Sequence, residues 1–183
     1  EQPDGTVRLS RTATVDPALD EGRLSFTNVY RPGAVELAGD NALDVSKMVT
    51  GAPTEEDFVF GLTLTQGRES VLVGTGENAT AFPEEGITVT MSDSFAANTQ
   101  QTASFEDLTF TAAGDYVFQV NETNSDPLAS TGWTYDNDTP RTITVHVTDT
   151  DYDGQLDIDL PGGVKGNNPV FTNSYVPTGV IVG

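Results

Sequence analysis

Three polar side chains stand at positions where the local pattern calls for apolar ones. In the stretch from Leu43 to Val49 every second residue is apolar except Lys47, which shares its register with Leu43, Val45 and Val49. Tyr116, Phe118 and Val120 lead in the same way to Glu122, and Phe171 and Tyr175 flank Asn173. Side chains on a β-strand alternate between its two faces, so all three polar groups point to the buried side. Burial lowers the pKa of a lysine and raises that of a glutamate, so a buried pair can pass its proton across and leave an uncharged amine. With a carboxamide in reach, the protonated glutamate can polarise its C=O and shuttle protons. The amine attacks the carbon and ammonia leaves, giving an isopeptide bond. A buried Lys–Glu pair beside a hydrogen-bonded asparagine satisfies the same pattern, and spacing alone does not choose between the two.

The elements that must hold these residues are strands. Strict alternation runs through Leu43, Val45, Lys47 and Val49, through Phe58, Phe60, Leu62 and Leu64, through Tyr116 to Glu122, and through Ile143, Val145 and Val147. Turn signals separate them at Gly51-Ala52-Pro53, Gly74-Thr75-Gly76, Ala113-Gly114-Asp115, Asp153-Gly154 and Pro161-Gly162-Gly163. The chain is rich in Thr and Val, carries 18 glycines, and shows no sustained 3.6-residue apolar period. These features predict an all-β fold of about seven to nine strands in a two-sheet β-sandwich.

The 183 residues suffice for one well-cored domain and a fragment of a second. A net charge of −20 argues against nucleic acid and anionic membranes as partners, because like charge repels over roughly 8 Å at physiological salt. Cysteine is absent, which removes disulfides, thiolate metal sites and thiol nucleophiles. No apolar run approaches the roughly 20 residues of a membrane helix, and no signal sequence opens the chain. The expectation is a mature extracellular segment from which any signal and anchor have been removed.

A repeat is visible. Phe26-Thr27-Asn28-Val29-Tyr30 returns as Phe171-Thr172-Asn173-Ser174-Tyr175, each time after a Thr/Val-rich strand and a glycine-containing turn. Residues 1–33 therefore read as the C-terminal fragment of a preceding similar repeat, or as an extra hairpin docked on the same domain. Residues 34–176 read as the complete sandwich and 177–183 as a tail. The sequence holds two lysines, Lys47 and Lys165, so Asn28 lacks a lysine of its own and is expected to be unlinked.

Five strings occur in order: Lys47-Met48-Val49-Thr50-Gly51, Phe58-Val59-Phe60, Gly114 through Glu122, Tyr135-Asp136 ahead of a Thr/Val strand, and Phe171 through Tyr175. Together they resemble the streptococcal pilin isopeptide linkage domain, the family that includes T-antigen-type backbone pilins and related Gram-positive surface repeat proteins. The resemblance implies an immunoglobulin-like sandwich in which the lysine of the first string is joined to the asparagine of the last with help from the glutamate. Here these are Lys47, Asn173 and Glu122. It further implies a structural stalk or pilin module, extracellular and cell-wall anchored or in a pilus, whose partners are neighbouring repeats or pilin subunits.

Fainter signals surround this core. Tyr175-Val176-Pro177-Thr178-Gly179 resembles a sortase sorting motif cleaved after Thr178, with attachment to another pilin or to peptidoglycan. Lys165 stands where some backbone pilins of the family carry their polymerising lysine; a solvated loop lysine is the simpler alternative. Asp149, Asp151 and Asp153 have the spacing of the first half of a calcium loop, but Leu160 takes the place of its bidentate glutamate, and an Asp-Gly hairpin turn explains the run more simply. The glycosylation-like triplets at Asn78, Asn121 and Asn137 are read as chance. His146, the one histidine, faces outward between Val145 and Val147 and has no triad partners. No cofactor and no enzyme acting on external substrates is expected, only a single-turnover cross-link. The alternative function is an adhesin domain that binds a host receptor or glycan through long loops, Gly67 to Asn98 or Thr123 to Trp133, with exposed Trp133 and Phe82 as anchors.

Overall fold

The computed structural model describes residues 10–15, 24–92, 94–126, 131–160, 163–166 and 168–178. An N-terminal hairpin of β1 (Ser10–Val15) and β2 (Leu24–Val29) comes first. Thirteen strands follow: β3 (Val35–Leu37), β4 (Asp44–Thr50), β5 (Phe58–Gln66), β6 (Val71–Val73), β7 (Thr80–Ala81), β8 (Ile87–Met91), β9 (Thr99–Ser104), β10 (Leu108–Phe110), β11 (Gly114–Glu122), β12 (Trp133–Thr134), β13 (Arg141–Thr148), β14 (Asp157–Asp159) and β15 (Val170–Tyr175). One helical turn, α1 (Gly163–Gly166), precedes β15.

Two sheets form the sandwich. A five-stranded antiparallel sheet has the order β14-β13-β11-β5-β8, and a four-stranded sheet the order β12-β15-β4-β9. Phe58, Phe60, Leu62, Tyr116, Phe118, Val120, Ile143, Val145 and Val147 from the first face Val45, Val49 and Phe171 from the second in one buried core. Ring pairs lock the layers together, among them Phe60 with Phe171 at 5.4 Å between centroids. The alternating segments read from sequence are β4, β5, β11 and β13, and their buried residues fall at every second position on β11 and β13.

The two facing sheets hold nine strands, within the expected seven to nine, and the structure adds to them. A third sheet, β3-β10-β6-β7, adds Leu37, Val71, Val73, Leu108 and Phe110 to the same core. Its strands are two or three residues long, too short to display a period; the span from Gly67 to Asn98, expected as a loop, carries β6, β7 and the five-residue β8. Phe82, expected as an exposed anchor, is buried and packs edge-on against Phe118 at 6.1 Å.

β4 is buried on both faces. Its outer face is covered by polar contacts, with the Ser46 hydroxyl bonded to Thr102 Oγ1 at 2.7 Å, Asn168 Nδ2 at 2.9 Å and Gln100 Nε2 at 3.1 Å. Its inner face carries Lys47. β4 is antiparallel to β9 but parallel to β15, so the first and last strands of the four-stranded sheet's inner pair run side by side in the same direction.

The segment between hairpin and sandwich is tied down. Gly33 N–H donates to Gly154 O at 2.7 Å, Leu156 N–H donates to Gly33 O at 3.1 Å, and the Tyr30 hydroxyl donates to Asp149 Oδ2 at 2.6 Å. That acceptor pushes the Tyr30 phenol up to about 12. Asn28 lies on β2 opposite Arg11 and is exposed.

Candidate functional site

Three strands from the two facing sheets converge on one point. In the parallel pair, Phe171 stands opposite Lys47 and Asn173 opposite Val49. Lys47 and Asn173 are thus staggered by two residues on neighbouring strands and share a face. Glu122, the last residue of β11, reaches across the sandwich between them. Lys47 and Asn173 are fully buried and Glu122 is 3% exposed.

Glu122 bridges the other two. The Lys47 Nζ donates to Glu122 Oε2 at 2.5 Å, and the Asn173 Nδ2 donates to Glu122 Oε1 at 2.8 Å. The Asn173 Oδ1 points the other way and accepts the main-chain N–H of Asp136 at 2.9 Å. Each polar atom of this buried group is therefore matched, as burial demands. Sequence reasoning assigned carbonyl polarisation to Glu122. The geometry differs: the carboxylate holds the amide nitrogen, and the carbonyl oxygen rests on a backbone donor.

Walls of the site are apolar. The Lys47 Nζ sits 4.5 Å from the centre of the Phe58 ring, and Phe58 is packed edge-on by Phe95 at 4.9 Å and Tyr135 at 6.2 Å. Loss of hydration pushes the Lys47 ammonium below the ordinary lysine range, and the hydrogen bond to Glu122 only partly opposes it. Tyr135 closes the site on one side: its hydroxyl donates to the Glu56 carboxylate, and burial first, then that carboxylate, raises its phenol.

The turn after β4 explains the glycine of the first string. Gly51 has φ of 86°, and a Cβ there would lie 2.1 Å from the Tyr175 carbonyl oxygen. Only glycine lets the chain leave β4 in this left-handed conformation against the end of β15.

Asp136, Arg141 and Thr172 also belong to the site and escaped sequence reasoning. Arg141 Nη2 contacts both Asp136 carboxylate oxygens at 2.8 and 2.9 Å, and Thr172 N–H donates to Asp136 Oδ2 at 3.1 Å. A main-chain donor has no side-chain signature; the only trace was the Tyr135-Asp136 string ahead of β13.

Other predicted residues lie away from this cluster. Ligand oxygens of Asp149, Asp151 and Asp153 do come within 4.8 Å of one another. They also serve the turn: Asp151 Oδ1 accepts Asp153 N–H at 3.3 Å, Asp153 Oδ1 accepts Gln155 N–H at 2.8 Å, and Leu160 is buried in the core. Thr178 is exposed beyond β15. Lys165 falls on α1, and its side chain lies outside the described residues, as do residues 179–183 of the tail. Trp133 is half-buried against Tyr175 at 5.3 Å, not a free anchor, and residues 127–130 of its loop lie outside the described residues. His146 faces outward beside Asp115, 2.6 Å away. Among the described residues no helix is long and apolar enough to cross a membrane.

No curated protein matches the chain. Residues 43–176 match the model of a family described as FctA, the Spy0128-like isopeptide containing domain. The match begins at the strand bearing Lys47, ends just past the strand bearing Asn173, and spans well over half of the chain. The chain belongs to this FctA family and is a pilin-type structural domain of the isopeptide-containing class.

Proposed function

We propose that this protein is a load-bearing stalk or pilin module of a Gram-positive surface structure, braced by an amide bond that it makes itself between Lys47 and Asn173. The observation that carries the reading is the position of Glu122, one oxygen on the Lys47 amine and the other on the Asn173 amide nitrogen. A carboxylate so placed takes a proton from the nucleophile and delivers one to the leaving group.

The step balances. A bond forms between Lys47 Nζ and Asn173 Cγ, and the bond from Cγ to Nδ2 breaks. Of the three protons on the lysine ammonium, one stays on the new amide nitrogen. A second joins the two on Nδ2 and leaves as ammonia, and the third remains on Glu122. Catalysis ends with that one turnover.

Such a module works outside the cell, between neighbouring repeats or pilin subunits. Its exposed Thr178 suits it to sortase attachment, to another subunit through Lys165 or to peptidoglycan. Intact mass tests the bond. The wild type is expected one ammonia lighter than its sequence, and Lys47→Ala and Glu122→Ala are expected at full sequence mass. A wild type at full sequence mass removes the proposal.

A further inference from the structure

The Asn173 carboxamide is gripped at both ends. Its nitrogen rests on Glu122 and its oxygen on the N–H of Asp136, in a core where the residue has no exposed surface. When an amine adds to Cγ, the carbonyl oxygen becomes an oxyanion. Negative charge in a dry core is unfavourable unless a donor already points at it.

We propose that the Asp136 main-chain N–H is that donor, a one-membered oxyanion hole, and that Arg141 is the positioning residue that keeps it aimed. This rests on the proposed Lys47–Asn173 bond and adds a division of labour: Glu122 moves protons and Asp136 takes the charge on oxygen.

The support for Asp136 is unusually complete. Its carboxylate is held by Arg141 Nη2 at 2.8 and 2.9 Å and by Thr172 N–H at 3.1 Å, while its own N–H reaches the next residue, Asn173. Asp136 is thus stapled to β15 at two successive residues. Arg141 is fixed in turn, its guanidinium 4.9 Å from the Phe171 ring centre and its Nη1 donating to the Thr139 carbonyl. Its charge has a second effect. An unpaired Asp136 carboxylate next to Asn173 would repel the developing oxyanion, and Arg141 neutralises it.

The clamp also sets direction. With Oδ1 held by Asp136, the amide cannot turn over, so the departing nitrogen always faces the proton on Glu122. In the transition state the Nζ–Cγ bond is forming, the charge from the C=O rests on the Asp136 N–H, and the Cγ–Nδ2 bond breaks towards Glu122.

The test follows ammonia loss in time. The full chain is made by cell-free synthesis, quenched in acid at intervals and weighed intact, with protease resistance at each point reporting the folded fraction. Replacing the 136 amide by an ester, through an α-hydroxy analogue of aspartate, removes only the N–H. Ammonia loss from the folded chain is expected to slow by on the order of 100-fold. Arg141→Gln is expected to slow it by about 10-fold, with Arg141→Lys between it and wild type because it keeps charge but not the two-point grip. If the ester chain does not fold, the order of the two Arg141 variants decides. Folded variants that react at the wild-type rate overturn the role of Asp136 while leaving the bond intact. A wild type that never loses ammonia removes the bond itself, and this inference with it.

Discussion

Lys47 and Asn173 lie on neighbouring parallel strands, two residues out of step and facing the same core. Parallel pairing has a mechanical consequence that an antiparallel pair would lack. The chain enters β4 at one end of the pair and leaves β15 at the other, so a pull on the domain shears these two strands along their length. A covalent link between them takes the load before any hydrogen bond must slide.

Single-molecule stretching reads this directly. With the bond in place, residues 48–172 are shielded, and the domain is expected to release none of the roughly 400 Å that so long a segment spans when extended. Asn173→Ala, which keeps the Lys47–Glu122 pair, is expected to release it. Full-length release from the wild type would show that the load path runs elsewhere.

Thermal unfolding separates the bond from the ion pair beneath it. Closing a loop of this size restricts the unfolded chain, an effect of about 5 kcal/mol on the chain-entropy model for cross-links. Asn173→Ala is therefore expected to lower Tm by about 10–20 °C. Glu122→Ala also strands a buried amine, so it is expected to fall below Asn173→Ala by a further ~3 kcal/mol. Equal losses in the two variants would mean that Lys47 does not depend on Glu122.

The depressed Lys47 pKa gives the unlinked protein a pH dependence of definite sign. In Asn173→Ala the amine is free, and burial holds its folded value below 10.5. Between that lowered value and 10.5 the unfolded chain binds more protons than the folded one, so stability rises with pH across that window. The linked wild type has no such amine to titrate. Denaturant titrations from neutrality upward should narrow the gap between the two proteins, and a gap that widens would contradict the assignment of burial as the dominant cause.

Gly51→Ala probes the turn that sets the register of β4 against β15. The new methyl would meet the Tyr175 carbonyl oxygen at 2.1 Å in a left-handed backbone, a strain of about 1–3 kcal/mol. In the Asn173→Ala background, where no cross-link masks the loss, the substitution is expected to lower Tm by several degrees. An unchanged Tm would mean that the turn relaxes freely.

Much of this was legible in the sequence because strands impose a period of two. Lys47, Glu122 and Asn173 betrayed themselves as polar residues in apolar register, and the structure gathers all three into one buried cluster. Part of what stayed hidden had no period to show, although β8, with Ile87, Val89 and Met91 alternating inside the expected loop, did show one. The two- and three-residue strands of the third sheet leave no alternation, so Phe82, just past β7, looked exposed when it is buried against Phe118. The Asp136 N–H is a backbone group that every residue but proline carries, and only the fold of the segment before β13 turns it towards Asn173. Which oxygen or nitrogen of the Asn173 amide meets Glu122 is likewise a matter of tertiary geometry.

Sequencing the branched peptide is the most direct test of the central claim. After complete proteolysis of the wild type, tandem mass spectrometry is expected to find a peptide containing Lys47 joined through its side chain to one containing Asn173, lighter than their sum by one ammonia, and absent from Glu122→Ala. Separate, unmodified peptides carrying a free Lys47 and an intact Asn173 would contradict it.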